Sequence, residues 1–408
     1  MATKKPDRFD QVDWDEFTDS TGLSISINTK LMLVAALPLV ALYLFDRFRV
    51  GEREETFPRL GEDLGLSGLF ETLGLDYNPS NLDYLFIFTI FVFLIYLVLP
   101  LYQNPRMTKY YWSEFKRNRP AVVSLVWLGI VFVGGLLGPL FIKRPEQDIL
   151  RGHQPPAFYH ISENHVPRCL GEVSNGRCHG TWAHPLGTTQ GGKDILDVII
   201  HGMTISMKIA FITTLIVATI GITFGTVSAF SGGWVDEIMM RFTDIVISFP
   251  TFILFLLVLY IYGATLGMFI FVFAIFSWGG TARYVRSKAL SVTEEEFIKA
   301  TNISGASKYR IIRKHVVPNT ASSIITQLTL LIPGFILFEA QLAFLGLGDS
   351  ELPSWGQLIA SGRSDLSFAP WIVLAPGFVL FLTILAFNFL GDALLDALNP
   401  QAEAEADK

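Results

Sequence analysis

Four side chains with ligand or redox chemistry fall in one short stretch: Cys169, Cys178, His179 and His184. Two thiols and two imidazoles are zinc-ligand types, but their spacing fits no common zinc pattern, and no metal site is expected. The cysteines stand nine positions apart and are the only 2 in the chain. On an oxidising side of a membrane that spacing suits a disulfide closing a small loop, against the alternative of two free thiols. A carboxylate, Glu339, stands inside a long apolar run. An ionisable group at membrane depth is costly and is by default a candidate for lining a translocation path, against a paired or wet group near the outer end. No G-x-x-x-x-G-K-[ST], H-E-x-x-H, nucleophile elbow or dinucleotide fingerprint occurs. The chain is therefore expected not to be an enzyme and to hold no cofactor of its own. The remaining chemistry is a polar, basic stretch between two apolar runs, FIKATNISGASKYRIIRKHVVPN at 297–319.

The elements that must position these groups are membrane helices. Of the 408 residues, 51% are hydrophobic and only 17% charged, where a soluble domain carries about a quarter charged. Eight spans are expected: Leu31–Phe45, which is short, Tyr84–Leu101, Ala121–Ile142, Ile205–Phe230, Ile238–Tyr262, Leu266–Thr281, Ser322–Leu345 and Trp371–Leu390. About 20 residues of helix cross the hydrocarbon core, and in lipid every backbone amide must be satisfied within its segment. The net charge of −6 comes with no basic patch interleaved with aromatics, so no nucleic-acid partner is expected. No cleavable signal peptide is visible; the first residues are acidic. Acidic ends, with six Asp or Glu among Asp7–Asp19 and QAEAEADK at 401–408, read as solvated tails.

Basic residues set the orientation. Arg106, Lys109, Lys116, Arg117 and Arg119 precede the third span, and Arg283, Arg286, Lys288, Lys299, Lys308, Arg310, Arg313 and Lys314 lie between the sixth and seventh. Both segments belong on the cytoplasmic side, which places both termini inside. Residues 46–83, with the Leu-Gly repeats of LGEDLGLSGLFETLGLDY, and 143–200 then face outward; the former suits an amphipathic surface helix. Within the spans, Lys208 is expected to snorkel outward. Arg241 and Asp244 are expected to pair at i,i+3. Gly134/Gly138 and Gly221/Gly225 are read as general helix packing.

In the 297–319 stretch, Glu294–Glu296 suit a helix first turn and Phe297–Ile303 is helical in character. Ser304-Gly305 breaks it, because glycine tolerates a left-handed backbone. A second helix, Ala306–Val317, is apolar at Ile311, Ile312 and Val316, and Pro318 is expected to reset the chain before the next span. The result is a helix–turn–helix offering a compact knob. On these features alone the simpler reading, an ordinary basic cytoplasmic loop, prevails.

The pattern A-x-x-x-x-G-A-S followed by I-x-x-x-x-V-V-P-N resembles the EAA loop of binding-protein-dependent ABC permeases. Ala300, Gly305 and Pro318 match the family's positions, with Ala306 and Ser307 following; the motif's leading Glu is Lys299 here and its second Ala is Thr301. The family's acidic contact to its ATPase is therefore not carried over, while the knob is. The likeness extends to EFKRNRPAVVSLVWLGIVFVGGLLGPLF (114–141), HPLGTTQGGKDILDVIIHGMTISMKIAF (184–211), RFTDIVISFPTFIL (241–254), LAFLGLGDSELPSWGQLIASGR (342–363) and APWIVLAPGFVLFLTILAFNFLGDALLDALNP (369–400). These are similar, in order, to the C-type subunit of dipeptide and oligopeptide permeases, a family that also handles nickel chelates and sugars.

The resemblance implies an all-α polytopic membrane protein with a six-helix permease core and about two extra N-terminal helices. It implies an N-terminal extension at 1–111, a first core helix and large outer loop at 112–200, a permease domain at 201–400 and an acidic tail at 401–408. It implies a peptide importer subunit in the cytoplasmic membrane, paired with a homologous B-type permease subunit. Two ATPase subunits carrying ATP and Mg would bind below, and an extracellular solute-binding protein above. Rivals from other classes are a secondary transporter, for which no convincing internal repeat is seen, and a receptor or scaffold that uses the basic loop for docking.

Overall fold

A computed structural model describes residues 26–51, 56–63, 65, 78–349 and 352–398. The acid-rich stretch before residue 26, most of the Leu-Gly repeats and the 401–408 tail lie outside the described residues. Among the described residues, seven helices are long and apolar enough to cross a membrane, or eight if one bent pair counts as a single span.

The helices are α1 (Ile27–Arg49), the short α2 (Thr56–Asp63), α3 (Asn81–Gln103), α4 (Pro105–Phe115) and α5 (Arg119–Phe141). There follow α6 (Ile195–Ser231), α7 (Gly233–Ser248), α8 (Thr251–Tyr262), α9 (Leu266–Thr293) and α10 (Glu296–Ile303). The last are α11 (Lys308–Ile311), α12 (Val317–Leu342), α13 (Trp355–Ser361) and α14 (Trp371–Leu398). The first span is longer than its 15 apolar residues, because Ser26 caps it and its last turn carries Arg47 and Arg49.

Three departures from the expected spans have local causes. The stretch expected as one span at Ile238–Tyr262 is two helices, α7 and α8, bent by 71°. Pro250 lacks an N–H and forces Phe249 into extended backbone (ψ 137°), which stops α7. Helix α6 begins ten residues before Ile205, because Asp194 accepts hydrogen bonds from the Leu196 and Asp197 amides and starts the helix in a polar segment. Helix α9 runs on to Thr293, past the end of its apolar run. Hydropathy marks where lipid is crossed, not where a helix stops.

The chain forms two compact units. The smaller is Met1–Tyr77 with Phe91–Pro100; in it the Tyr96 hydroxyl donates to Thr29 Oγ1 at 3.4 Å. The larger is Asn78–Ile90 with Leu101–Lys408. The division therefore falls inside α3 rather than at residue 111, because the first turns of α3 pack into the larger unit. Phe86 is buried there in a core with Phe255, Phe269, Phe273 and Phe335.

That same part of α3 corrects the expectation for Lys208. Its ammonium does not snorkel outward; it meets Asp83 of α3 at 2.5 Å, with both side chains about seven-eighths buried. A charge in a low-dielectric setting is costly unless paired, and Asp83 supplies the counter-charge. The Ser80 amide and hydroxyl also donate to Asp83, at 2.8 and 2.7 Å.

Helices α6 and α9 lie against one another backbone to backbone. A Cβ added at Gly225 would sit 2.5 Å from the Ala282 carbonyl oxygen and 2.8 Å from Val285 Cβ. Small residues permit that approach, and close packing is what holds helices together where lipid removes the hydrophobic drive.

The stretch between α5 and α6 carries a small antiparallel sheet, order β1–β3–β2, of His160–Ser162, Val173–Ser174 and Arg177–His179. Its hairpin turns on Asn175-Gly176, both at positive φ (52° and 69°), the backbone of a two-residue turn that matches strand twist.

Candidate functional site at residues 294–319

Helix α10 ends in a reciprocal pair of backbone bonds. The Ala306 amide donates to the Thr301 carbonyl at 3.3 Å, and the Gly305 amide to the Asn302 carbonyl at 3.0 Å. This pattern needs a left-handed residue just past the helix end, and Gly305 supplies it at φ +80°. Ser307 then starts α11: its carbonyl accepts from the Ile311 amide at 3.1 Å and its hydroxyl from the Arg310 amide at 3.4 Å. The turn is thus set by local chemistry over a few residues.

The loop is seated by its inner face. Ile298, Ile311 and Val316 are each 1% exposed and pack with Ala289 and Val292 of α9 and with Ala229 and Phe230 at the end of α6. Ala306 lies against the same cluster. The outer face is open. Lys299, Ala300, Gly305 and Ser307 are exposed, Thr301 is half-buried, and Ile303 at the tip is 88% exposed. Thr301 Oγ1 and Ser304 Oγ donate back to the Phe297 and Ala300 carbonyls at 2.7 and 2.9 Å.

Beyond the turn the expected arrangement changes. Pro318 does not reset the chain. Helical backbone continues from α11 through a wide turn, Ile312–Val316, into α12, and Pro318 sits in the first positions of α12. A proline inside continuous helix removes one backbone bond, and the wide turn just before it accommodates that loss. The wide turn also rotates the apolar register: Ile311 and Val316 are buried while Ile312 is half-buried.

The other candidate residues lie elsewhere. Glu339 of α12 is 6% exposed, beside the buried hydroxyl of Ser354 that caps α13, and so is enclosed by the packing of this chain itself. Cys169 and Cys178 are joined by a disulfide, and Cys178 is fully buried at the centre of the small sheet. His184 bonds Asp194, the α6 cap, at 2.7 Å, and His179 bonds Ser174 at 2.9 Å. The 143–194 excursion is further tied by His153 to Asp365 at 2.9 Å. Gln154 adds bonds to the Arg168 carbonyl and the Leu170 amide.

The i,i+3 pair expected between Arg241 and Asp244 does not form. Arg241 reaches Glu237 at 3.0 Å, one turn back, and Asp244 accepts from Arg283 of α9. Sequence reading missed Ile298 as the centre of the seat and Asp236 and Arg286 beside it. A buried-face signal was present for Ile298; the partner of Asp236 lies 50 positions away, beyond any local pattern.

Comparison with known proteins places this architecture. Residues 221–403 match the family described as binding-protein-dependent transport system inner membrane component. Residues 106–156 match the one described as the N-terminal TM domain of oligopeptide transport permease C. The chain is 33% identical over 289 residues to the oligopeptide transport system permease protein OppC of Haemophilus influenzae, covering 71% of this chain and 86% of that one. It is 37% identical over 293 residues to the dipeptide transport system permease protein DppC of Alkalihalophilus pseudofirmus, covering 72% and 89%. To DppC of Bacillus subtilis it is 33% identical over 263 residues, covering 64% and 75%.

Proposed function

Because the chain belongs to the binding-protein-dependent ABC importer permeases of the oligopeptide and dipeptide C type, we propose that it carries di- or oligopeptides across the cytoplasmic membrane and is driven through its 294–319 loop. The relatives' printed names supply the substrate class. ATP, with Mg, is bound and hydrolysed in two partner ATPase subunits, not in this chain. Lys299, Ala300, Thr301, Gly305, Ala306, Ser307 and Pro318 form the docking loop. A homologous B-type permease subunit completes the path, and an extracellular solute-binding protein delivers peptide.

The observation that carries the docking role is the division of the loop into two faces. Its inner face is buried on α6 and α9, and its outer face exposes an apolar tip, Ile303. A push on that tip passes straight into two spanning helices. ATP binding closes the ATPase pair, moves the loop and reorients the spans as rigid bodies between outward and inward access.

Topology agrees with this when the bent pair α7–α8 counts as one crossing. Four crossings then separate the basic segments around α4 and 294–319, so both share the cytoplasmic side. The 143–194 excursion and the segment before α14 share the other side, as the His153–Asp365 bond requires. Both termini lie inside. Glu339 is enclosed in this chain's own packing, so a path-lining role for it needs a conformation in which that packing opens.

The test is co-purification of the tagged chain with an ATPase subunit, followed by uptake of radiolabelled trialanine in vesicles holding the full set of subunits. ATP-dependent uptake is expected. Solute accumulation by the purified chain alone on an ion gradient would overturn the reading.

A further inference from the structure

The loop's seat lies one helical turn from a second polar arrangement. Arg286 of α9, three residues before Ala289, makes a two-pronged bond to Asp236 in the first turn of α7: Nε to Oδ1 at 2.7 Å and Nη2 to Oδ2 at 2.6 Å. Ser228 of α6, next to Ala229, donates to the same carboxylate from a fully buried position. Asp236 therefore joins the cytoplasmic-loop ends of three helices, α6, α7 and α9. Bidentate, charge-assisted bonds of this kind fix geometry as well as adding attraction.

The covalent link between α6 and α7 does not fix it. The two helices are joined through Gly232 and Gly233, both at positive φ (60° and 52°), with no other atom near where a side chain would stand. Such a link leaves the backbone free to swing. Helices α6 and α9, by contrast, are in direct backbone contact at Gly225 and carry the loop on their ends.

We infer that Asp236, with Arg286 and Ser228, is a positioning device for transport: it makes the inner end of α7 follow the α6–α9 body when the loop is pushed. Without it, the inner end of α7 would be held to α6 and α9 chiefly by side-chain packing, Phe242 on Phe224 and Trp278, while α8 stays on α9 through Phe255 and Phe273. Arg283 and Asp244 form a second tie between α7 and α9, but both are more than half exposed, and an exposed pair holds little. The inference rests on the reading of the loop as the ATPase seat.

The experiment uses the complete transporter in liposomes and measures ATP hydrolysis and trialanine uptake in the same sample. With Asp236→Asn, hydrolysis stays within about twofold of wild type while uptake per ATP hydrolysed falls by about tenfold, a usual size for coupling between sites. The swap Asp236→Arg with Arg286→Asp restores much of that ratio, which a merely structural loss would not. If Asp236→Asn fails to assemble, Arg286→Lys carries the test, because it keeps the charge and loses the fork; a lower ratio supports the inference and an unchanged ratio overturns it. An unchanged ratio in an assembled Asp236→Asn transporter overturns it too. Failure of the wild-type chain to hold its ATPase removes the docking reading itself, and this inference with it.

Discussion

The 294–319 loop and the 143–194 excursion are opposite solutions to holding a long connection. The excursion is tied to itself and to the helix ends by a disulfide, two His–Asp bonds and the bridging bonds of Gln154. Among the described residues the loop shows no such ties; it rests on three buried aliphatic side chains and one glycine turn. A connection that completes itself is stiff. One that turns an apolar tip outward is finished by whatever binds it. The difference assigns the excursion to scaffold and the loop to motion.

The largest effect is expected at the turn. Gly305→Leu places a branched side chain at φ +80°, which costs about 1–2 kcal/mol of local strain. ATPase co-purification and uptake are then lost while membrane insertion stays normal. Uptake at the wild-type rate would erase the contrast between the regions. Next is Ile298→Ala, which empties the centre of the seat at a cost of about 2–5 kcal/mol. Protease should then cut the loop faster in the assembled transporter; an unchanged cutting rate would mean that the seat does not hold it.

On the excursion, Cys169→Ser with Cys178→Ser removes a short loop closure worth about 2–3 kcal/mol. The excursion should then become sensitive to protease at lower temperature, with ATPase binding unchanged. Loss of ATPase binding in that variant would show that the two regions are not separable. The smallest effect is expected for Glu339→Gln, within about 1 kcal/mol of stability by thermal melting. A large fall in uptake without a stability change would mark Glu339 as part of the path.

The sequence was most legible where chemistry is local. Each spanning helix is visible as an apolar run, because in lipid a segment must satisfy its own amides. The Gly305 turn was readable for the same kind of reason: few residues besides glycine take that backbone. The broken span is hidden in the hydropathy although Pro250 marks it, because its apolar neighbours outweigh the proline. The hairpin at Asn175-Gly176 is also written in consecutive residues, although the long apolar helices around it dominate the pattern.

What the sequence determined alone is which segments are helical, where the loop turns and to which family the chain belongs. Apolar length and backbone freedom are properties of consecutive residues. Only the tertiary structure decided that Lys208 meets Asp83, that Asp244 turns to Arg283 rather than Arg241, that Glu339 is enclosed, and that Asp236 joins three helices. An apolar run does not say which way a helix is rotated or which neighbour it faces. Lys208, Asp244 and Asp236 therefore find their partners through packing rather than spacing.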